Sequence, residues 1–160
     1  MKTIQLTQGY TCTVDDADYE LLSTMKWSIT NHGRAGKCIG SQSTPCGKTT
    51  ILMHRFILGI TDTNTFVDHI DRNPLNNCRS NLRIATQCQN QHNRRANLVG
   101  TSIYKGVSKQ KNVKKYKAQI MAENKLIYIG MFSSEIEAAK AYDEMAKKLH
   151  GEFACLNFPN

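Results

Sequence analysis

The chain has 160 residues, 40% of them hydrophobic. That is enough for one modest core or two small ones, because a lone core becomes marginal below about 70 residues. Its apolar runs, such as Ile57-Leu58 and Leu126-Ile127-Tyr128-Ile129, fall far short of the roughly 20 residues that cross a bilayer, so no membrane partner is expected. The net charge of +8 is concentrated: residues 91 to 125 carry nine Lys and Arg against one acid, Glu123, whereas residues 1 to 90 hold nine against seven. Such a concentration attracts polyphosphate by counterion release, although a solvated lysine-rich face has the same composition.

The opening Met1-Lys2-Thr3-Ile4-Gln5-Leu6-Thr7 alternates polar and apolar residues and does not read as a signal peptide, so a cytoplasmic protein is expected. The six cysteines, Cys12, Cys38, Cys46, Cys78, Cys88 and Cys155, show no Cys-x2-Cys or Cys-x4-Cys spacing. They read as scattered reduced thiols rather than disulfides or a zinc cluster, with Cys78 and Cys88 the pair for which a zinc role stays open.

In chain order, strands are predicted over 3–7, 10–14, 26–30 and 37–41, separated by Gly, Asn and Asp-rich breaks. Asp15 to Leu22 reads as an acidic helical turn, and Ile51 to Leu58 as a helix ending at Gly59. The stretch from Val67 to Arg95 is rich in Asp, Asn and His but punctuated by Val67, Ile70, Leu75, Leu82 and Ile84. It reads as a strand ending near Ile70, a polar loop through Asn77, a strand near Arg83 and a helix from Thr86. A polar linker is placed at 97–101. Three strands follow, at Tyr104–Val107, Lys115–Met121 and Lys125–Gly130. In the second, Tyr116, Ala118 and Ile120 face the core while Lys117, Gln119 and Met121 face outward. The last element is a helix opened by Ser134 and Glu137, with an apolar stripe of Ile136, Ala139, Tyr142, Ala146 and Leu149 and a stop at Gly151.

Hydrolysis of a phosphodiester needs an activated water, charge stabilisation at the phosphate and help for the departing oxygen, which an imidazole and a divalent metal together supply. Asp68, His69 and Asn90 carry those groups. A carboxylate with an amide oxygen is a hard donor set, suited to Mg²⁺ or Mn²⁺. His92 lies about 200° around the helix from Asn90 and faces the other way. A loop network satisfied by its own hydrogen bonds is the bland reading of the same residues. His54 and Arg55 touch phosphate or cover their helix; His32 and His150 read as structural or exposed; Asp71 reads as a turn former.

Through Val67-Asp68-His69-Ile70-Asp71, Asn76, Asn81-Leu82-Arg83, Thr86 and Asn90, the chain resembles the HNH homing endonucleases of phages and introns. The resemblance extends weakly upstream to Val14-Asp15-Asp16, Trp27 and His54-Arg55. It implies that Asp68 and Asn90 hold one divalent ion, that His69 is the general base, and that Asn81 pins the loop through backbone hydrogen bonds. Asn90 stands where many of these nucleases have His, as in the phage homing branch.

Residues 102 to 159 resemble the AP2 DNA-binding domain through Tyr104-Lys105-Gly106-Val107, Tyr116-Lys117-Ala118-Gln119-Ile120, Ile129-Gly130-Met131-Phe132, Glu137 to Asp143, and Leu156-Asn157-Phe158-Pro159. That resemblance implies a three-stranded sheet laid in the major groove and braced by a helix. Lys105, Ser108, Lys115, Tyr116 and Tyr128 stand where Arg or Trp is usual, which favours backbone affinity over base discrimination. The DNA contacts expected are Lys105, Lys109, Lys111, Lys115, Tyr116, Lys117 and Tyr128, with Arg94 and Arg95 before the linker.

The expectation is therefore an α+β protein: an HNH ββα-metal nuclease domain over 1–96, with its core at about 66–95, and an AP2-like domain over 102–160 whose antiparallel sheet packs on one helix. It cleaves or nicks double-stranded DNA with one Mg²⁺ or Mn²⁺ per site and needs no obligate protein partner. Two further readings stay open: a non-catalytic DNA-binding regulator with a degenerate nuclease domain, and a zinc-stabilised structural unit.

Overall fold

The computed structural model describes the chain except Gln8, residues 30–37, 45–46 and 96–99, Asn112 and Asn160; over 38–44 and 47–50 it describes the backbone alone. Two compact units result, Met1–Thr86 and Gln87–Asn160. The predicted linker at 97–101 lies largely outside the described residues. The helix at Gln87–His92 groups with the second unit, because its C-terminal carbonyls are held by a lysine of that unit, as shown below.

In the first unit, β1 (Lys2–Gln5) and β2 (Thr11–Val14) form an antiparallel pair with Ile4 opposite Cys12. Alternation sends Ile4, Cys12 and Val14 inward. Helix α1 (Asp16–Ser23) begins with Asp16 and Asp18 in its first turn, where carboxylates suit the positive end of a helix. Strands β3 (Trp27–Ile29), β4 (Cys38–Thr44) and β5 (Gly47–Leu52) make a three-stranded antiparallel sheet, and α2 (Met53–Ile57) follows. The predicted helix over 51–58 is thus shorter than expected. Ile51 and Leu52 pair across from Gly40 and Ile39, and this ladder claims them before the helix starts.

Trp27, Leu22, Met53, Val14 and Cys12 are almost completely buried in one cluster that also holds Val67 and Leu82. The Trp27 indole N–H donates to the Leu22 carbonyl at 2.8 Å, so the ring enters the core without an orphaned donor. Truncating a buried ring of this size to alanine costs about 3–5 kcal/mol. Strands β6 (Phe66–His69) and β7 (Leu82–Ala85) are antiparallel and join this core through Val67 and Leu82.

The second unit opens with α3 (Gln87–His92) and continues with the sheet β8 (Val107–Lys109), β9 (Tyr116–Ala122) and β10 (Lys125–Phe132), ordered β10-β9-β8. The first strand starts at Val107, where Tyr104 was expected, because Tyr104 to Gly106 form a turn closed by the Val107 N–H on the Tyr104 carbonyl. Gly106 has φ +75°, and a Cβ there would lie 2.0 Å from the Tyr142 ring, so only glycine fits. The β9–β10 hairpin turns through Glu123 and Asn124, both at positive φ, as a two-residue turn with that twist requires.

Helix α4 (Glu135–His150) carries the predicted capping box: Ser134 Oγ accepts from the Ile136 N–H, and Glu137 accepts from the Ser134 N–H. Gly151 ends the helix at φ +53°. The predicted apolar stripe is rotated in the structure. Ile136 and Leu149 are exposed, and Ala138, Ala139, Tyr142, Asp143, Ala146 and His150 form the buried side. The polar members are tolerated because Asp143 and the Nε2 of His150 have partners, which leaves His150 Nδ1, among the described residues, as the buried side-chain atom without a hydrogen bond. Asp143 accepts from the backbone N–H groups of Asn157 and Phe158, and the His150 Nε2 donates to the Met121 carbonyl at 3.0 Å. His150, expected to be structural or exposed, is structural.

Candidate active site and nucleic-acid interface

Strand β6 delivers Asp68 and His69 at its end, and alternation sends them to opposite sides. Asp68 is 4% exposed and lies directly across the ladder from Arg83 on β7. The guanidinium donates Nε–H and Nη2–H to Asp68 Oδ2 at 2.9 and 2.7 Å. The register, not sequence proximity, makes this pair.

On the other side, the His69 ring meets the buried His54 of α2 edge-on, centroids 5.2 Å apart. His69 Nε2 lies 3.3 Å from Asn77 Oδ1. Asn77 is fully buried, and its Nδ2 donates to the Pro74 carbonyl, which turns the amide oxygen toward His69. An amide oxygen only accepts, so His69 Nε2 carries the hydrogen and Nδ1 is the basic nitrogen.

The loop between β6 and β7 is organised by Asn81. Its Oδ1 accepts from the Asp71 N–H at 2.9 Å, while its Nδ2 donates to Asp71 Oδ1 and to the Asn76 carbonyl. Asp71 also accepts from the Asn73 N–H and from Asn76 Nδ2. Partial burial pushes the Asp71 carboxyl up, but hydrogen bonds from Asn76, Asn73 and Asn81 together outweigh it and hold it below the usual range. Asp71 is the turn former expected of it.

From outside, the loop is stitched to β2 through Thr13, which donates to the Leu75 carbonyl and accepts from the Asn77 N–H. The one-turn helix Arg79–Asn81 is held by α1 and its cap: Asp15 accepts from the Arg79 N–H, and Asp18 takes the Arg79 side chain in a bidentate pair at 2.8 and 2.7 Å. The acidic stretch near the start of the chain therefore braces the loop that carries Asn81.

Asp68 and His69 lie in the first unit on opposite sides of β6, and Asn81 organises the loop that follows; Asn90 belongs to the second unit, half-buried on α3. Sequence reasoning missed Arg83 and Asn77 as neighbours of the site and left His54 undecided between phosphate and its own helix; His54 is buried beside His69. Arg55, left open in the same way, donates to the Thr65 carbonyl. The donors proposed for a divalent ion, a carboxylate and an amide, are both hard oxygens. Among the described residues no group of three or more His, Cys, Asp and Glu could hold a metal. Of the cysteines with described side chains, Cys12, Cys78 and Cys155 are buried and in no disulfide; Cys88 is exposed, 3.4 Å from His92 Nε2.

In the second unit His92 turns away onto His150, the two rings stacked 3.6 Å apart. Lys105 donates through Nζ to the carbonyls of His92 and Arg94, capping the end of α3. Arg94 and Arg95 are exposed and line, with Gln91, Ser102 and Lys105, an open depression of about 300 Å³. Lys109, Lys111 and Lys115 are exposed; Lys117 and Tyr128 lie on the outer sheet face, whereas Tyr116 packs inward against Val107 and Ala118. At the C-terminal end of the unit, Asn157 accepts from the Lys105 N–H and donates to its carbonyl.

The first unit presents an Asp-His pair at the end of β6, and the second is a basic sheet unit. No family model matches the chain. It is 36% identical over 144 residues to an uncharacterized HNH endonuclease of Acanthamoeba polyphaga mimivirus, covering 87% of this chain and 70% of that one. It is 34% identical over 91 residues, 56% of this chain and 73% of the relative, to Protein 3.8 of Escherichia phage T7. Over 61 residues, 37% of this chain, it is 44% identical to an AP2-like ethylene-responsive transcription factor of Arabidopsis thaliana, of which that stretch spans only 12%. The chain belongs to the HNH endonuclease family. No helix among the described residues is long and apolar enough to cross a membrane.

Proposed function

We propose that the protein is a metal-dependent DNA endonuclease of the homing type, which hydrolyses phosphodiesters of double-stranded DNA gripped by its AP2-like second unit. The observation that carries the reading is the Asp68-His69 pair at the end of β6, beside a loop pinned by Asn81. His69 Nδ1 takes a proton from water as the water oxygen attacks phosphorus, and Asn77 holds the ring for that transfer. Asp68 and Asn90, both assigned on the family resemblance, would hold one Mg²⁺ or Mn²⁺. When bound, the ion neutralises charge on the phosphate and on the departing oxygen. The lysines of the second unit hold backbone phosphates and supply salt-dependent affinity.

A second reading, a DNA-binding regulator without catalysis, is favoured by the likeness of the second unit to a transcription factor. Plasmid nicking separates the two. Wild type in Mg²⁺ or Mn²⁺ converts supercoiled DNA to nicked or linear forms; EDTA, Asp68→Ala and His69→Ala abolish the conversion while binding persists. Cutting by His69→Ala refutes the general-base assignment, and binding without cutting in either metal favours the regulator.

A further inference from the structure

The strand register sorts the outer face of the β8–β9–β10 sheet into three rows: Ser108, Lys117 and Met131; Gln119 and Tyr128; Met121 and Leu126. Ala118, Ile120 and Ala122 point the other way, and α4 covers that inner face. A sheet with one covered face ordinarily carries polar residues on the other. Here Met121, Leu126 and Tyr128 are 51%, 59% and 61% exposed, in adjacent rows. Exposed Lys109, Lys115 and Lys125 stand at the strand ends, and the acid among residues 91 to 125 is Glu123 in the hairpin turn. An apolar patch framed by cations fits a polyanion that exposes apolar groups between its charges. The major groove of DNA does so, with thymine methyls lying between two phosphate rails.

The same face lacks the side chain that best reads guanine. From residue 96 to residue 160 the sequence contains ten lysines and no arginine, so no guanidinium fork is available to guanine from the sheet. The amide at its centre, Gln119, matches the donor and acceptor that adenine presents in the major groove.

Resting on the reading of the chain as a DNA-binding nuclease, we infer that the outer sheet face selects A·T-rich DNA in the major groove. Gln119 addresses adenine, and Met121, Leu126 and Tyr128 cover thymine methyls. The terminal lysines hold the flanking phosphates and contribute nothing to the choice of base. This selectivity sets where the nuclease docks, separately from where it cuts.

The test uses the full chain in EDTA, so that binding is read without cleavage, by fluorescence anisotropy on three short duplexes. One is A·T-rich, one is G·C-rich, and the third is the A·T-rich duplex with every thymine replaced by uracil, which removes the methyl and keeps the hydrogen-bonding edge. The A·T-rich duplex binds about 5- to 150-fold more tightly than the G·C-rich one, the discrimination one good bidentate pair supplies. Uracil weakens binding several-fold, Gln119→Ala narrows the A·T preference, and Met121→Ser with Leu126→Ser removes the response to uracil. Equal binding of all three duplexes, a G·C preference, or competition by heparin as effective as that of any duplex overturns the inference and leaves the nuclease reading standing. Failure to bind any duplex at low salt overturns both, and points to an acidic protein as the occupant of the face.

Discussion

Arg83 is where the tertiary structure makes its most exposed claim about the site. Arg83→Met keeps the length of the side chain and removes the guanidinium that donates twice to Asp68 Oδ2. The Arg83 and Asp68 side chains are 13% and 5% exposed, so solvent screens the pair only slightly. Leaving one partner of a buried ion pair alone costs about 3–5 kcal/mol. In a unit of 86 residues each kcal/mol moves the midpoint by about 4–8 °C, so thermal unfolding should fall by about 12 °C or more. Trp27 is the only tryptophan and is buried in the first unit, so its fluorescence reports that unit alone. Asp68→Asn in the Arg83→Met background should restore part of the loss, with a coupling of about 1–3 kcal/mol. An Arg83→Met protein whose tryptophan signal melts at the wild-type temperature would refute the reasoning.

Asn81→Ala removes one acceptor and two donor bonds from the β6–β7 loop and should cost about 2–3 kcal/mol, with faster hydrogen exchange at Asp71. Unchanged exchange there would show that Asn81 does not hold the loop. Gly106→Ala forces a methyl into the Tyr142 ring at a positive φ, so the second unit should lose its near-ultraviolet circular dichroism while Trp27 fluorescence stays native. Burial is the first cause that lowers the His150 pKa from 6.5, ahead of the opposing bond to the Met121 carbonyl. Its folded value thus lies below its unfolded one, so its contribution to stability is complete above the unfolded pKa and is lost as pH falls through the folded value. The stability of the second unit should therefore decline on acidification below about pH 6.5, and His150→Gln should flatten that decline in urea titrations read by tyrosine fluorescence.

Much of the molecule is decided by local chemistry, and that part is legible in order. The Asp-His pair between Val67 and Ile70, the Ser134–Glu137 box, the alternation of Ala118 and Ile120 with Lys117 and Gln119, and the two strands flanking the Asn-rich loop follow from spacing within a few residues. These elements form because each depends on period, caps and turn residues alone. The basic second unit is legible in the same way, since charge needs no fold to be counted.

What the tertiary structure decided are pairings across distance. Arg83 meets Asp68 only because the loop between β6 and β7 closes in that register, and a slip of one residue would turn the guanidinium to the opposite face. Asp15 and Asp18 reach Arg79 across more than 60 positions. Ile51 and Leu52 joined a strand against their helical spacing because an open ladder took their backbone groups. On α4, Ile136 and Leu149 gave up the buried side to Asp143, whose carboxylate found partners in the C-terminal segment, and to His150, whose Nε2 found one in β9. Periodicity counts apolar residues on a helix face, whereas burial also admits any polar group whose hydrogen bonds the rest of the chain completes, and those partners exist only once the chain has folded.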